Sequence, residues 1–271
     1  MQELVDTHCH IQSIGSAKGE RVTREIWAKV PGLTADGVIA TASEHGVTRL
    51  VCVGCDLQDS RLAIDFAKNR QSCWATIGIH PHEAKHFAGQ SAKLQEFSKL
   101  ATRPKVVAVG ECGLDYYYEH SPKTTQIEVL KFQIELAQKY NLPLIFHVRE
   151  ALDDFWPVLD SYKGLRGVLH SFTDSAENLA KALDRGLFIG VNGIATFAKN
   201  PAQLEVYRSI PLKSLLLETD APFLTPTPYR GSINEPKRVG VVADFLANLR
   251  GENRADLAET TTANARQLFG I

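Results

Sequence analysis

Apolar residues recur along the chain in eight short runs, most of them separated by stretches with helical periodicity. The runs occupy residues 4–11, 49–55, 74–80, 106–111, 143–148, 167–172, 187–193 and 214–220. They are nearly continuous in Val, Ile and Leu rather than strictly alternating, which is typical of strands that are covered on both faces, as in parallel sheets. The pattern therefore predicts eight parallel strands with helices between them.

Two of the intervening segments have the period of an amphipathic helix. The segment 123–140 places four apolar side chains on one stripe, and 174–185 places three. These side chains are Ile127, Leu130, Ile134 and Ala137 in the first segment and Leu179, Ala182 and Leu183 in the second. Asp174 and Ser175 predict the start of the second helix, and Gly186 predicts its end.

Eight strand–helix units in 271 residues match the count and length of an α/β (β/α)8 TIM barrel. An open, doubly wound sheet is the alternative, but no glycine-rich phosphate-binding fingerprint follows the first run. We expect residues 1–271 to form a single domain. The segments 13–35 and 221–238 are rich in polar residues, Gly or Pro and follow predicted strand ends, so we expect both to be irregular and to lie over the barrel mouth.

The composition is that of an ordinary globular protein, with 44% apolar residues, 23% charged residues and a net charge of −1. No global field draws such a chain onto duplex DNA or anionic membrane, although a single phosphodiester in a pocket remains compatible with it. No apolar run reaches the roughly 18–20 residues of a membrane span, and we expect no secretory signal, since no basic segment or long apolar segment comes before the first run. We expect a cytoplasmic monomer without a membrane partner, although nothing in the sequence determines the oligomeric state.

The five cysteines do not indicate a redox or zinc motif. Cys52 and Cys55 form one CxxC within LVCVGCD, but no second CxxC accompanies it. We interpret the cysteines as buried thiols of a reduced protein.

Metal-type residues gather at the C-terminal ends of the apolar runs, where a TIM barrel carries its catalytic residues. Six of the nine histidines lie there, together with two carboxylates. The set is His8, His10, His80, His82, Glu111, His147, His170 and Asp220. On a strand, His8 and His10 share one face with Asp6, because side chains alternate. Scattered core or surface histidines would have no reason to select strand ends.

Without His80 and His82, the set still offers four imidazoles and two carboxylates. That exceeds the ligands of one tetrahedral Zn²⁺ and suits two divalent ions bridged by a carboxylate, which indicates metal-assisted hydrolysis. Imidazoles favour Zn²⁺, Mn²⁺ or Co²⁺, whereas phosphoryl transfer often uses Mg²⁺. Each residue alone could instead be a core histidine or a capping carboxylate, and His82 could be a loop residue.

Seven segments together resemble one family, in order and across essentially the whole chain. They are DTHCHI, GIHPHE, GECGLDYYY, FHVREA, LHSF, ETDAPFL and RGSINEP. The chain resembles the TatD-like metal-dependent DNases of the amidohydrolase superfamily. The resemblance implies a (β/α)8 barrel with one or two divalent ions that hydrolyses phosphodiester bonds in DNA.

The resemblance also implies roles for individual residues. It implies two sets of metal ligands bridged by Glu111, namely His8, His10, Glu111 and Asp220 for the first ion and His147 and His170 for the second. Asp220 would also be the general base, and His80 would contact phosphate or shuttle a proton. Arg149 and Arg230 would bind phosphate oxygens, a task that a bidentate guanidinium suits.

We therefore expect a divalent-metal-dependent 3′–5′ exonuclease that acts on single-stranded or frayed DNA. One alternative is hydrolysis of another bond, such as a D-aminoacyl-tRNA ester or a small-molecule amide. A more remote one is a non-catalytic interaction scaffold. The segment 13–35 is longer than is usual in the family, which would partly cover the mouth. Tyr116, Tyr117 and Tyr118 could stack on a frayed base or pack their loop.

Overall fold

The computed structural model describes residues 2–271 and contains one eight-stranded sheet in which every neighbouring pair of strands is parallel. Its order follows the sequence: Leu4–Cys9 (β1), Val47–Cys52 (β2), Cys73–Ile77 (β3), Val106–Asp115 (β4), Leu144–Arg149 (β5), Gly167–Leu169 (β6), Phe188–Val191 (β7) and Leu215–Leu217 (β8). Each of the eight predicted runs overlaps one strand. Sequential order from first to last is that of a barrel, so the (β/α)8 prediction is confirmed over the doubly wound alternative.

Helices lie between the strands and after the last one. They are Arg21–Trp27 (α1), Ala35–Glu44 (α2), Leu57–Lys68 (α3), Ser91–Ser98 (α4), Lys123–Tyr140 (α5), Leu152–Asp160 (α6), Ala176–Asp184 (α7), Pro201–Ser209 (α8), Val239–Arg250 (α9) and Arg254–Phe269 (α10). The prediction for 123–140 is confirmed over its whole length by α5. The prediction for 174–185 is confirmed by α7, whose N-cap Ser175 accepts a hydrogen bond from the backbone N–H of Asn178.

The barrel closes between β1 and the residues that follow β8. The backbone N–H of Asp220 donates to the carbonyl of His8 at 2.8 Å, and that of His10 donates to the carbonyl of Ala221 at 2.8 Å. Cys9 and Ala221 form a parallel bridge at the same point. The closing hydrogen bonds therefore bring three predicted site residues together at the C-terminal ends of the strands.

A small apolar cluster with members from six strands fills the barrel interior. Its strand members are Val5, Val51, Ala108, Ile145, Val168 and Leu216. The C-terminal part of α10 packs against this cluster through Ala265, Leu268 and Phe269. A larger cluster lies between the sheet and the helices and forms most of the core. Because the interior is packed, chemistry is confined to the barrel mouth.

The expectation that 13–35 is wholly irregular is wrong, because α1 lies inside this segment. The Glu20 carboxylate caps α1 by accepting two backbone N–H groups of its first turn, at 3.0 and 2.6 Å. The buried Trp27 indole donates to the carbonyl of His10 at 3.1 Å. The helix is therefore fastened to the end of β1, beside the barrel mouth. The segment 221–238 is irregular as expected, apart from one short 3-10 turn at its end.

All five cysteines are buried and free, as the interpretation of the CxxC requires. Within residues 2–271, no helix combines the length and apolar composition that crossing a membrane requires.

Candidate metal centre

Seven of the predicted site residues converge at the barrel mouth. They are His8, His10, His80, Glu111, His147, His170 and Asp220. Their metal-binding atoms form three overlapping groups, and within each group these atoms lie within 4.8 Å of one another. The groups are His8, His10 and Glu111; His8, His170 and Asp220; and His80, Glu111 and His147.

Glu111 lies between these groups. Its Oε1 is 2.8 Å from Nδ1 of His147, 3.5 Å from Nε2 of His170 and 3.7 Å from Nε2 of His80. Its Oε2 is 3.5 Å from Nε2 of His8. The two oxygens of one carboxylate thus face different histidines, which is the arrangement that a bridging ligand needs.

Asp220 approaches the same ring nitrogen of His8 as Glu111 does. Its Oδ1 is 3.5 Å from Nε2 of His8 and 3.3 Å from Nε2 of His10. The backbone of Asp220 has φ +58°, a left-handed conformation that Asp tolerates better than most residues. A chain turn shortly after β8 therefore places this carboxylate beside His8 in β1 and His10 just after it.

The buried polar atoms fit a divalent ion. His8 is fully buried, and neither of its ring nitrogens has a hydrogen-bond partner anywhere in 2–271. A buried polar group without a partner is costly, and a ligated ion would satisfy it. His10 donates from Nδ1 to the carbonyl of Val53 at 3.0 Å, which leaves its Nε2 free to bind a metal. Imidazole nitrogens and carboxylate oxygens together suit Zn²⁺, Mn²⁺ and related ions.

Carboxylates determine the protonation of the centre. Burial alone would lower the pKa of His10, but the hydrogen bond and charge of Asp220 outweigh it and raise the pKa to about 9. The pKa of His147 is likewise raised to about 9 by Asp115 and Glu111, against the effect of burial. Burial opposes ionisation of Glu111, yet the histidines around it, His80 first, hold its pKa well below the usual range. A divalent ion would replace protons on these imidazoles.

Asp115 supports the centre and was missed by sequence reasoning. Its Oδ2 lies 3.0 Å from Nε2 of His147 and 3.0 Å from Nε2 of His82. By accepting the Nε2 proton of His147, Asp115 leaves Nδ1 of that ring facing Glu111. The predicted strand ended at residue 111, whereas β4 continues to Asp115, and this difference is why Asp115 was overlooked. Asp115 lies within the motif GECGLDYYY, so that motif was the sequence signal that could have identified it.

Glu218 has the same relation to His170 and was also missed. Its Oε1 lies 2.9 Å from Nδ1 of His170 and accepts hydrogen bonds from the backbone of Ser171 at 2.7 Å and from the Asn192 amide at 3.1 Å. The charge of Glu218 helps to raise the pKa of His170 to about 10, although burial acts in the opposite direction. The sequence signal that could have identified Glu218 was a carboxylate inside the apolar run 214–220, two residues before Asp220.

Gly113 makes the approach of β4 to β5 possible. A Cβ atom on Gly113 would lie 1.8 Å from the carbonyl oxygen of His147, a distance that no side chain could occupy. The residue has φ +150°, which also favours glycine. The glycine therefore keeps the strand that carries Glu111 and Asp115 against the strand that carries His147.

Arg149 and Arg230, both predicted to bind phosphate, lie at the exposed rim and not in the histidine cluster. The guanidinium carbon of Arg149 is 4.0 Å from the ring centroid of Tyr117, and that of Arg230 is 3.8 Å from the ring centroid of Phe197. His80 lies inside the cluster, with its pKa lowered well below the usual value, chiefly by burial.

Cys55 lies beside the cluster, in a fourth group of possible ligands with His10 and Asp59. His10, Cys55 and Asp59 lie close together, but Nδ1 of His10 is bonded to a carbonyl. Burial raises the pKa of the Cys55 thiol well above its usual value. The carboxylate of Asp59 accepts the backbone N–H of Cys55 at 3.1 Å, which is a structural contact.

The fold and the cluster are those of a hydrolase built on a (β/α)8 barrel, with side chains that could hold metal. A sequence profile for the family described as TatD related DNase matches residues 5–270. The chain is 36% identical over 270 residues to a protein named uncharacterized metal-dependent hydrolase YabD of Bacillus subtilis, covering 99% of both chains. It is 38% identical over 245 residues to the 3′-5′ ssDNA/RNA exonuclease TatD of Escherichia coli K12, covering 87% of this chain and 93% of that one.

Among solved structures, the chain is similar to YJJV, a TatD homologue from Escherichia coli K12. The TM-score is 0.85 with 27% identity, over 99% of this chain and 98% of the other. The chain therefore belongs to the TatD-related DNase family and is a metal-dependent hydrolase acting on ester bonds. The resemblance found in the sequence motifs is confirmed.

Proposed function

We propose that the protein is a 3′–5′ exonuclease that uses two divalent ions to hydrolyse phosphodiester bonds of single-stranded or frayed DNA. The observation that carries the proposal is the position of Glu111, whose two oxygens face different histidines at the end of a barrel. The similarity to the Escherichia coli protein named as a 3′-5′ ssDNA/RNA exonuclease supports the choice of substrate and polarity.

The donor groups divide into two sets for the proposed ions. The first ion would be held by His8, His10, Glu111 and Asp220, and the second by Glu111, His147 and His170. Mg²⁺, Mn²⁺ and Zn²⁺ are the candidates, since imidazoles favour the softer ions and phosphoryl transfer often uses Mg²⁺. When bound, two such ions polarise a phosphoryl oxygen and lower the pKa of water.

The side chains around these ions have separate roles in the proposed reaction. Asp220 orients the attacking water and accepts its proton. Water adds to phosphorus, the bond from phosphorus to the 3′ oxygen breaks, and the leaving oxygen takes up a proton. His80 is close enough to Glu111 to contact the phosphate or deliver that proton, with its Nε2 3.7 Å from Glu111 Oε1. Arg149 and Arg230, at the rim, bind non-bridging phosphate oxygens.

The test is degradation of a 5′-labelled oligonucleotide, single-stranded or with a frayed 3′ end, in Mg²⁺ or Mn²⁺. The comparison protein is Asp220→Asn, which keeps the shape of the side chain but removes its charge. We expect a ladder that shortens from the 3′ end with the wild type and no ladder with the variant or in chelator. An exposed histidine at the opposite end of the barrel provides a matched control, His45→Ala, which should cleave like the wild type.

A wild-type protein that is loaded with metal and leaves both oligonucleotides intact would contradict the proposal. The same ligands should then be tested on D-aminoacyl-tRNA esters and small amides. Cleavage from the 5′ end, or internal cleavage alone, would refute the proposed 3′–5′ polarity but would still support a phosphodiesterase activity.

A further inference from the structure

We propose that Tyr117, Tyr118 and Arg149 form a platform on which unpaired bases of the substrate strand stack next to the metal centre. We call these three residues the tyrosine platform. The inference rests on the proposed nuclease function, and it identifies the substrate feature that the protein recognises as an unpaired base close to the bond that is cleaved.

Exposure is the first observation. Tyr117 is 53% exposed and Tyr118 is 49% exposed, in a protein that buries most of its large apolar side chains. The neighbouring Tyr116 differs, because its hydroxyl donates to Asp154 at 2.8 Å and Lys123 lies 4.2 Å above its ring. Tyr116 therefore packs the loop, whereas the next two rings stay about half exposed, although Arg149 lies over both and the His120 ring stacks on Tyr118 with the centroids 5.7 Å apart.

The charge of Arg149 is the second observation. Its guanidinium carbon lies 4.0 Å from the ring centroid of Tyr117 and 4.8 Å from that of Tyr118, and no carboxylate between residues 2 and 271 forms an ion pair with it. Arg185 provides a contrast, because it also stacks on an aromatic ring but is paired with Asp160 at 2.7 Å. The platform thus combines aromatic faces with an unneutralised cation, which are the two elements of single-strand recognition.

The platform is continuous with the metal centre. Ring centroids follow one another from His147 to His80 at 4.5 Å, from His80 to His82 at 4.3 Å, from His82 to Tyr118 at 5.5 Å, and from Tyr118 to Tyr117 at 4.8 Å. A base stacked on either tyrosine would therefore belong to a nucleotide near the scissile phosphate.

A cavity beside the platform leads to the same place. Its volume is about 310 Å³, and its lining includes Arg149, His170 and Phe172. That volume lies at the lower end for small-molecule sites, so it suits a single nucleotide. Because Arg149 belongs to the platform and His170 to the histidine cluster, the cavity connects the two.

One carboxylate fixes the position of the tyrosine platform relative to the metal centre. Asp115 Oδ1 accepts the backbone N–H groups of Tyr117 and Tyr118, each at 3.0 Å, while its Oδ2 faces His147 and His82. Because the platform is ordered before the substrate arrives, stacking loses less conformational entropy. Bases inside a duplex have both faces covered by neighbours, so only an unpaired end can use this surface.

The test compares two substrates of different length. A single-stranded oligonucleotide reaches both the centre and the platform, whereas the p-nitrophenyl ester of thymidine 5′-monophosphate has no neighbouring base. We expect the double variant Tyr117→Leu, Tyr118→Leu to lower the ratio of kcat/KM for the oligonucleotide to that for the ester roughly tenfold. The Phe, Phe double variant should keep the ratio, because phenyl rings still stack. Tyr162→Leu, at the other end of the barrel, is the matched control.

A binding assay decides the same question without catalysis. Fluorescein-labelled oligonucleotides are titrated with metal-free protein, with a single abasic site moved along the last nucleotides from the 3′ end. We expect one or two abasic positions to weaken binding by the wild type and none to matter for the Leu, Leu variant. An unchanged substrate ratio and equal binding of every abasic oligonucleotide would overturn the platform. If the wild type cleaves neither substrate, the proposed nuclease activity is refuted. The binding assay would still show whether bases stack on the tyrosine platform.

Discussion

Glu111 is the residue on which the proposed two-ion arrangement depends. It is buried, and every histidine of the cluster except His10 has a ring nitrogen within 3.7 Å of one of its oxygens. His147, in contrast, contributes to only one side of the cluster. Replacing Glu111 and replacing His147 should therefore remove different amounts of bound metal.

Metal content measures that difference. We expect two divalent ions per chain in the wild type, about one in His147→Ala, and a loss at both sites in Glu111→Gln, because an amide is a weak bridging ligand. Elemental analysis of dialysed protein is the measurement, with His45→Ala as the control. Wild-type protein that binds no divalent ion under any loading condition would favour the non-catalytic scaffold.

Replacing Asp115 should weaken metal binding, although Asp115 is not itself a proposed metal ligand. Asp115→Asn removes the charge that keeps the Nε2 proton on His147, and loss of such an outer partner typically weakens metal binding by about 10–100-fold. We expect that loss for one of the two ions, measured by competition with a coloured chelator. Asp153→Asn, an exposed carboxylate of α6, should change neither affinity. Equal affinities in Asp115→Asn and wild type would show that Asp115 only orders the loop.

At the scale of elements, β4 and its contact with β5 bring the donors together. β4 carries both Glu111 and Asp115, and its register against β5 pairs Gly113 with His147. The close approach requires a residue without a side chain at that point.

Gly113→Ala should therefore destabilise the fold. The added methyl would overlap the His147 carbonyl, so we expect a loss of about 3 kcal/mol or more in the free energy of unfolding, at the upper end for overpacking. Gly240→Ala in α9 is the matched control, since its Cβ would meet only Arg254 and Leu4 at 3.8 and 3.9 Å. That control should be neutral or stabilising by up to about 1 kcal/mol. Urea denaturation checks both, and equal midpoints for the two variants would contradict the argument.

At the scale of the whole molecule, the near-zero net charge limits how the protein attracts nucleic acid. With a net charge of −1, the proposed affinity for nucleic acid would come from local contacts, for which we propose Arg149 and Arg230 at the rim. The salt dependence of binding should therefore be shallow.

For single strands, the slope of log K against log salt is about −0.7 for each phosphate neutralised. We expect a slope of about −1 to −2 for metal-free protein and a single-stranded oligonucleotide, and a slope about 0.7 shallower in Arg149→Ala. Fluorescence anisotropy between low and moderate salt gives these values. Arg103→Ala, at an exposed position three residues before β4, should keep the wild-type slope. A slope of about −5 or steeper would indicate a broad basic face that the composition does not contain.

Much of this architecture could be predicted because hydrophobic patterning is a local property. The eight apolar runs located the strands, and the stripe from Ile127 to Ala137 located α5. Local patterning also accounts for the errors. The polar segment 13–35 conceals α1, whose helix is held by the Glu20 cap and by the contact of Trp27 with β1, and the latter is a tertiary contact.

The sequence by itself determined where the eight strands lie, two of the helices and the set of metal-type residues at strand ends, because each depends on neighbours along the chain. Only the tertiary structure decided which of these residues meet. Glu111 and His8 are brought together by barrel closure, and Asp115 reaches His147 because Gly113 lets two strands approach. Distances between side chains that are far apart in sequence depend on strand register and backbone approach, which no local pattern contains.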